Sequence, residues 1–228
     1  MLQHLLELRR RTLNTLLFFG AFFCLFFFYA NDLFHALIKP LLHSLHTTDD
    51  IIATQITASV FTPLKLAVDA ALLLTAPFAL FNLWRFISPG LYSAEKNHLR
   101  SAITLSLFLF ITGLLFCFYF VLPFMFQFFA HALPQGVRLM PDMAESIDFI
   151  TRMLLLFGLS FQVPLVCLVL VRFDIIEVKA LKNIRPYVIV AAFALGMLLT
   201  PPDVFSQIAL AIPLCLLYEL GILLALFL

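Results

Sequence analysis

The segment LRSAITLSLFLFITGLLFCFYFV, residues 99–121, decides the fold class of this chain. Its single charged residue, Arg100, lies near its start. A helix needs about 20 predominantly apolar residues to cross the hydrocarbon core of a bilayer. These 23 residues therefore predict a membrane-spanning helix.

Five further apolar runs flank this segment. Residues 13–30 and 62–87 precede it, and residues 149–171, 187–199 and 207–225 follow it. Prolines occur inside several of these runs, and membranes tolerate them because neighbouring groups satisfy the freed backbone. We predict an all-α, polytopic integral membrane protein with six transmembrane helices in a single domain spanning residues 1–228.

The composition excludes a water-soluble globule. Hydrophobic residues make up 63% of the chain, charged residues 12%, and the mean hydropathy is +1.07. A soluble domain has about half apolar and a quarter charged residues, because it needs a polar surface. The four cysteines show no metal-binding spacing, and we interpret them as small buried hydrophobic residues: Cys24, Cys117, Cys167 and Cys215.

The positions of the basic residues predict the orientation. With the N-terminus in the cytoplasm, ten of the fourteen Lys and Arg residues fall in cytoplasmic segments, as the positive-inside rule requires. Both termini are therefore expected in the cytoplasm. The outer segments, residues 31–61 and 122–148, are the longer ones, and we expect some helix in the first.

The fifth and sixth runs predict short helices. Residues 187–199 number 13, which gives a helix of about 20 Å at 1.5 Å per residue. The sixth run is equally short if it ends near Glu219. Short spans are accommodated by thinning of the bilayer, so we expect a thinned membrane beside these helices.

The sequence contains none of the common catalytic motifs. We find no HExxH, no GxSxG and no glycine-rich phosphate loop. His43 and His46 are three residues apart, but solvated loop residues explain them better than a metal site. We therefore predict no enzyme activity, no cofactor, no metal and no nucleic-acid partner.

Several polar residues lie in or beside the apolar runs, where charges are costly and are functional candidates by default. Glu7 also fits a solvated helix start, and Glu95 also fits a surface acid that caps a helix. Lys65 and Asp69 are four residues apart and can pair on one helix face. Gln162 lies near the middle of the fourth run, where an amide can bond neighbouring helices or line a substrate path.

Two further acids lie near the ends of the last run. Asp203 follows Thr200-Pro201-Pro202 in a tight turn, where it can cap the sixth helix. Glu219 lies near the opposite end of that helix, where interfacial anchoring is the simpler interpretation. Each residue also remains a candidate for a functional contact.

Together these segments resemble the TatC family, the receptor subunit of the twin-arginine protein translocase. The order, spacing and placement of the motifs carry the resemblance over nearly the whole chain. The motifs are His4-Leu5-x-Glu7-Leu8-Arg9-x-Arg11, Phe61-Thr62-Pro63-x-Lys65, Trp84-x-Phe86, Pro89-x-Leu91-Tyr92-x-x-Glu95, Phe157-Gly158-x-x-Phe161-x-x-Pro164, Arg185-Pro186-Tyr187, Thr200-Pro201-Pro202-Asp203-x-x-Ser206-Gln207 and Leu217-Tyr218-Glu219.

The resemblance implies that the chain binds twin-arginine signal peptides of folded precursors at its cytoplasmic face. Two consecutive guanidinium groups favour carboxylates in bidentate geometry, which Glu7 and Glu95 can supply. The remaining residues expected at this site are Arg9, Phe86, Leu91 and Tyr92.

The resemblance also implies partners and an energy source. We expect the single-span subunits TatA and TatB, further copies of the chain, the bacterial inner membrane and the proton-motive force. Contacts with the inserted signal or with partners are expected at Gln162, Lys65, Pro201, Pro202, Asp203, Gln207 and Glu219.

One departure from the family pattern is Gln162, where the family usually has a glutamate. A hydrogen-bonding role survives that change, whereas a titrating role does not. The alternative function is a small-solute secondary transporter. Such transporters often contain inverted repeats and paired broken helices, and the sequence shows no convincing repeat.

Overall fold

A computed structural model describes residues 2–42, 51–55, 57–87, 96–132, 140–200 and 204–227. For residues 2–8, 59, 83–87 and 96–101 this description covers the backbone alone. Within the described residues the fold is helical, and its one extended pairing is an isolated parallel bridge between Ile52 and Asp142. The predicted all-α class is therefore confirmed.

Nine α-helices account for most of the described chain. They are α1 (Leu2–Phe28), α2 (Ala30–Leu42), α3 (Ala58–Ile87), α4 (Lys96–Phe116), α5 (Leu122–His131), α6 (Met143–Ser160), α7 (Val163–Arg172), α8 (Val178–Leu199) and α9 (Val204–Leu226). The second of these confirms the helix expected within residues 31–61.

Six stretches of the described helices are long and apolar enough to cross a membrane. This number confirms the six spans predicted from the sequence. The stretches are Arg9–Phe28, Val60–Asn82, Ala102–His131, Met143–Arg172, Val178–Leu199 and Val204–Leu226.

The sequence predicted that the third span ends before Pro123, but the structure shows that it continues past this residue. A π-helical turn, Cys117–Val121, connects α4 directly to α5. In this turn the Leu122 N–H bonds the Cys117 carbonyl, five residues back. Pro123 follows in the first turn of α5, where its missing N–H costs little, so the helical path continues to His131.

The fourth span is two helices rather than one. α6 ends at Ser160 and α7 begins at Val163, with a turn at residues 161–162. The cause is Pro164, which cannot donate a hydrogen bond and whose ring clashes with the carbonyl four residues back. The Gln162 N–H bonds the Leu159 carbonyl at 3.0 Å, tightening the end of α6.

The fifth and sixth helices are not short, which corrects the sequence prediction. α8 has 22 residues and α9 has 23. The prediction counted only apolar residues, but α8 begins nine positions earlier and includes a basic first half with Lys179, Lys182 and Arg185. Because both helices are long enough to cross an ordinary bilayer, the reason for expecting a thinned membrane beside them no longer holds.

The chain divides into two compact units. Unit 1 comprises Met1–Phe108 with Leu133–Thr151, and unit 2 comprises Leu109–Ala132 with Arg152–Leu228. In unit 1, α3 packs against α1 and α2; in unit 2, α9 packs against α7 and α8. The predicted single domain over residues 1–228 stays a prediction.

Candidate functional site

In unit 1, hydrogen bonds join the first half of α1 to the last turns of α3. The Arg11 guanidinium donates to the Asn82 backbone carbonyl at 3.1 Å, and the Asn82 side-chain amide donates to the Thr15 hydroxyl at 3.1 Å. Arg9 and Arg10 are exposed on the same stretch of α1. The start of α1 and the end of α3 therefore lie side by side.

Most of the predicted recognition residues belong to these two helix ends or follow them. Glu7 lies one helical turn before Arg11, and Phe86 lies one turn after Asn82. The side chains of Glu7 and Phe86, and the whole of Leu91, Tyr92 and Glu95, lie outside the described residues. The structure therefore brings the two helix ends together, but the predicted contact between Glu7 and Glu95 lies outside its description.

Lys65 forms an ion pair between helices. Its Nζ lies 2.5 Å from Asp148 Oδ2 of α6. Asp69, one turn further along α3, accepts a hydrogen bond from the Thr151 hydroxyl at 2.9 Å. The four-residue spacing predicts a pair between Lys65 and Asp69, and nothing in the sequence indicates Asp148, which lies 83 positions after Lys65.

Asp142 connects two loops of unit 1. Its Oδ2 accepts hydrogen bonds from the Thr54 backbone N–H at 2.9 Å and the Thr54 hydroxyl at 2.6 Å. Its Oδ1 accepts from the N–H groups of Ala144 and Glu145 at the start of α6. These bonds, led by that of the Thr54 hydroxyl, stabilise the carboxylate and lower the pKa of Asp142 to about 2.

Asp142 is not among the predicted site residues, although the sequence carries a local signal for its capping role. Asp142 and Glu145 have the spacing of a capping box before an apolar run. Nothing in the sequence indicates its second partner, Thr54.

Gln162 is buried, with 6% of its surface exposed, in the turn between α6 and α7. Its backbone carbonyl accepts the N–H of Val166 at 2.9 Å, which begins the hydrogen bonding of α7. A buried amide at a break in a predicted membrane span can hydrogen-bond neighbouring groups without carrying charge.

In unit 2, polar contacts join the first half of α8 to α9. Arg185 Nη2 lies 2.6 Å from Glu219 Oε2. The Tyr218 hydroxyl donates to the Leu181 carbonyl at 2.8 Å. Glu219, predicted as an interfacial residue, therefore bonds the arginine of the Arg-Pro-Tyr motif.

A second contact joins the same helices near the opposite end. The Gln207 amide donates to the Phe193 backbone carbonyl at 2.8 Å. At Gly196 the backbone of α8 lies close to α9, and an added Cβ would be 3.2 Å from the Gln207 carbonyl oxygen. Pro201, Pro202 and Asp203, which connect these two helices, lie outside the described residues.

No group of three or more metal-binding side chains occurs among the described residues. His43 and His46 lie outside them. The polar side chains described above pair mainly with one another or with backbone groups, which suits a scaffold that holds helix ends in place.

Comparison with known proteins identifies relatives along the full chain. A family model described as "Sec-independent protein translocase protein (TatC)" matches residues 3–213. The chain is 42% identical over 227 residues to the Haemophilus influenzae Sec-independent protein translocase protein TatC, covering 100% of this chain and 89% of that protein. It is 39% identical over 222 residues to the Escherichia coli K12 protein of the same name, covering 97% and 86% respectively.

A solved structure shows the same fold. The match to a crystal structure described as the twin-arginine translocase receptor TatC has a TM-score of 0.89 and 32% sequence identity, and covers 98% of each chain.

Proposed function

Because this chain belongs to the TatC family of Sec-independent protein translocase proteins, we propose that it recognises the twin-arginine signal peptides of folded precursor proteins. The chain is a multi-pass membrane protein and a core component of the Tat translocase. The observation that best supports receptor activity is the match, over 98% of both chains, to a protein described as the translocase receptor. The small-solute transporter alternative is not favoured.

The proposed binding site is formed by the start of α1 and the segment that follows α3. Glu7 and Glu95 supply carboxylates for the two guanidinium groups, since bidentate pairing distinguishes arginine from lysine. The contact between Arg11 and Asn82 supports this proposal, because it fixes the end of α3 beside the start of α1. In this proposal Phe86 and Leu91 flank the apolar residues of the peptide motif, and Arg9 and Tyr92 are the further residues of the site.

The remaining assignments extend the same proposal. Both termini lie in the cytoplasm, transport uses the proton-motive force, and the chain works without a catalytic site or cofactor. It assembles with TatA, TatB and further copies of itself. Contacts with the inserted signal or with these partners involve Gln162, Lys65, Pro201, Pro202, Asp203, Gln207 and Glu219.

Binding of a twin-arginine signal peptide to the purified, detergent-solubilised chain tests this proposal. A peptide with Lys-Lys in place of Arg-Arg is the ligand control. We expect Glu95→Gln to weaken binding of the Arg-Arg peptide at least about tenfold, because a hydrogen bond to a charged group contributes roughly 1.5–3 kcal/mol.

The matched control is Glu177→Gln, which removes an exposed acid from the residue before α8. We expect this variant to bind like the unmodified chain. Equal binding of the two peptides, or equal effects of Glu95→Gln and Glu177→Gln in folded protein, would contradict the assigned site.

A further inference from the structure

An open apolar groove lies in unit 1 between α1, α3 and α4. It has a volume of about 450 Å³, and its lining includes Phe18, Phe22, Phe78, Phe81 and Leu107. The lining is almost entirely carbon, so the groove suits a hydrocarbon ligand.

Beyond the Phe18 end of the groove, towards the start of α1, lie the basic residues Arg10 and Arg11. Arg11, Phe18 and Phe22 follow one another at intervals of seven and four residues, which places them on one face of α1. Arg11 is about 10 Å along the helix axis from Phe18. Beside it are the Asn82 and Thr15 hydrogen bonds and the exposed Arg10.

The size of the groove indicates whether a membrane helix or a lipid acyl chain can occupy it. A 20-residue helix about 30 Å long and 10 Å wide occupies roughly 2,400 Å³, several times the groove volume. A single acyl chain is narrow enough to lie along the groove. The ligand that also matches the charge at the Arg11 end is an amphiphile with an anionic headgroup.

We propose that this groove is a binding site for one anionic phospholipid. One acyl chain lies against Phe18, Phe22 and Phe78, and the phosphate lies beside Arg10 and Arg11. The two arginines make the site selective for a negatively charged lipid over a zwitterionic one, because basic residues at the membrane surface attract anionic headgroups. The proposal does not depend on signal-peptide recognition.

Native mass spectrometry of the purified chain tests this site, with retained lipid as the readout. The probes are palmitoyl-oleoyl phosphatidylglycerol and phosphatidylcholine, which share their acyl chains and differ in headgroup charge. One arginine near an anionic surface strengthens binding roughly fivefold. We therefore expect the chain to prefer phosphatidylglycerol roughly tenfold or more.

Charge variants test the headgroup end. The double variant Arg10→Gln/Arg11→Gln should lose the preference, whereas Arg172→Gln, which removes an exposed arginine of unit 2, should keep it. If loss of the Arg11 hydrogen bond unfolds the double variant, Arg10→Gln alone should reduce the preference roughly fivefold.

Groove variants test the acyl-chain end. Leu74 lines the groove and Leu72 does not, although both lie on α3 and are similarly exposed, at 46% and 42%. Leu74→Trp should lower phosphatidylglycerol retention severalfold, and Leu72→Trp should leave it unchanged. Equal retention of the two lipids by the unmodified chain, equal effects of Arg172→Gln and Arg10→Gln, or equal effects of the two tryptophan variants would overturn the proposal.

Discussion

At the residue scale, Asp142 links a loop to the start of α6 through one carboxylate. Replacing it with alanine removes the helix cap and both bonds from Thr54. We expect Asp142→Ala to lower the free energy of unfolding by roughly 1–2 kcal/mol, as loss of an N-cap does. Thermal unfolding in detergent at neutral pH measures this change.

The lowered pKa of Asp142 also predicts a pH dependence with a definite sign. Its pKa falls from an ordinary 3.8 to about 2 on folding. The hydrogen bonds of the folded state therefore stabilise the ionised carboxylate relative to the unfolded state. The stabilisation is therefore complete above pH 3.8 and is lost as the pH falls through about 2. Asp142→Asn keeps a capping oxygen but cannot titrate, so its stability should change less across this window; an identical pH response in both proteins would contradict the assignment.

Partners distant in sequence explain which residue contacts were missed. The Asp-x-x-Glu spacing at Asp142 is visible in the sequence, because a helix cap is a local feature. Thr54 lies 88 positions away and Asp148 lies 83 positions from Lys65. Such pairs depend on how the helices pack, and residue spacing along one sequence does not reveal which distant residues meet.

At the element scale, Gly113 permits a close approach of α4 to the end of α6 within unit 2. A Cβ at Gly113 would lie 2.7 Å from the Phe157 carbonyl oxygen and 2.9 Å from the Phe161 ring. Backbone atoms cannot move aside without displacing the helix. We expect Gly113→Ala to lower the free energy of unfolding by roughly 1–3 kcal/mol, as overpacking does.

Gly20 provides the matched control for this substitution. It also lies inside a helix, but a Cβ there would meet nothing within 4 Å. Alanine should stabilise α1 at this position by roughly 0.5–1 kcal/mol. Similar melting temperatures for Gly113→Ala and Gly20→Ala in the same detergent would contradict the role of close packing at Gly113.

Proline positions predicted some helix ends correctly and others not. Pro164 follows a break, whereas Pro123 follows a π-helical turn and α8 continues through Pro186. Each proline removes one backbone donor. The helix then breaks, bulges or continues, depending on how the backbone avoids the clash between the proline ring and the carbonyl on the preceding turn. The position of a proline in the sequence does not indicate which of these occurs.

At the scale of the whole molecule, hydropathy predicted the number of spans because a bilayer requires long apolar helices. Helix lengths were predicted less well, since the basic start of α8 has no apolar signal yet is helical. The candidate site was predicted through motif order and topology. Its principal acids, Glu7 and Glu95, depend on both termini being cytoplasmic, so the orientation of the molecule is the next property to test.

Cysteine labelling in intact cells tests this orientation. We expect Gln55→Cys to react with a membrane-impermeant maleimide from outside, and Lys179→Cys to react only after the cells are broken. Both residues are exposed, and the expectation follows from the concentration of basic residues on the predicted cytoplasmic side. The background variant has all four native cysteines replaced by alanine: Cys24, Cys117, Cys167 and Cys215. The reverse labelling pattern would place Glu7 and Glu95 outside the cell, where they would not meet a precursor before its transport, and would contradict the proposed receptor role.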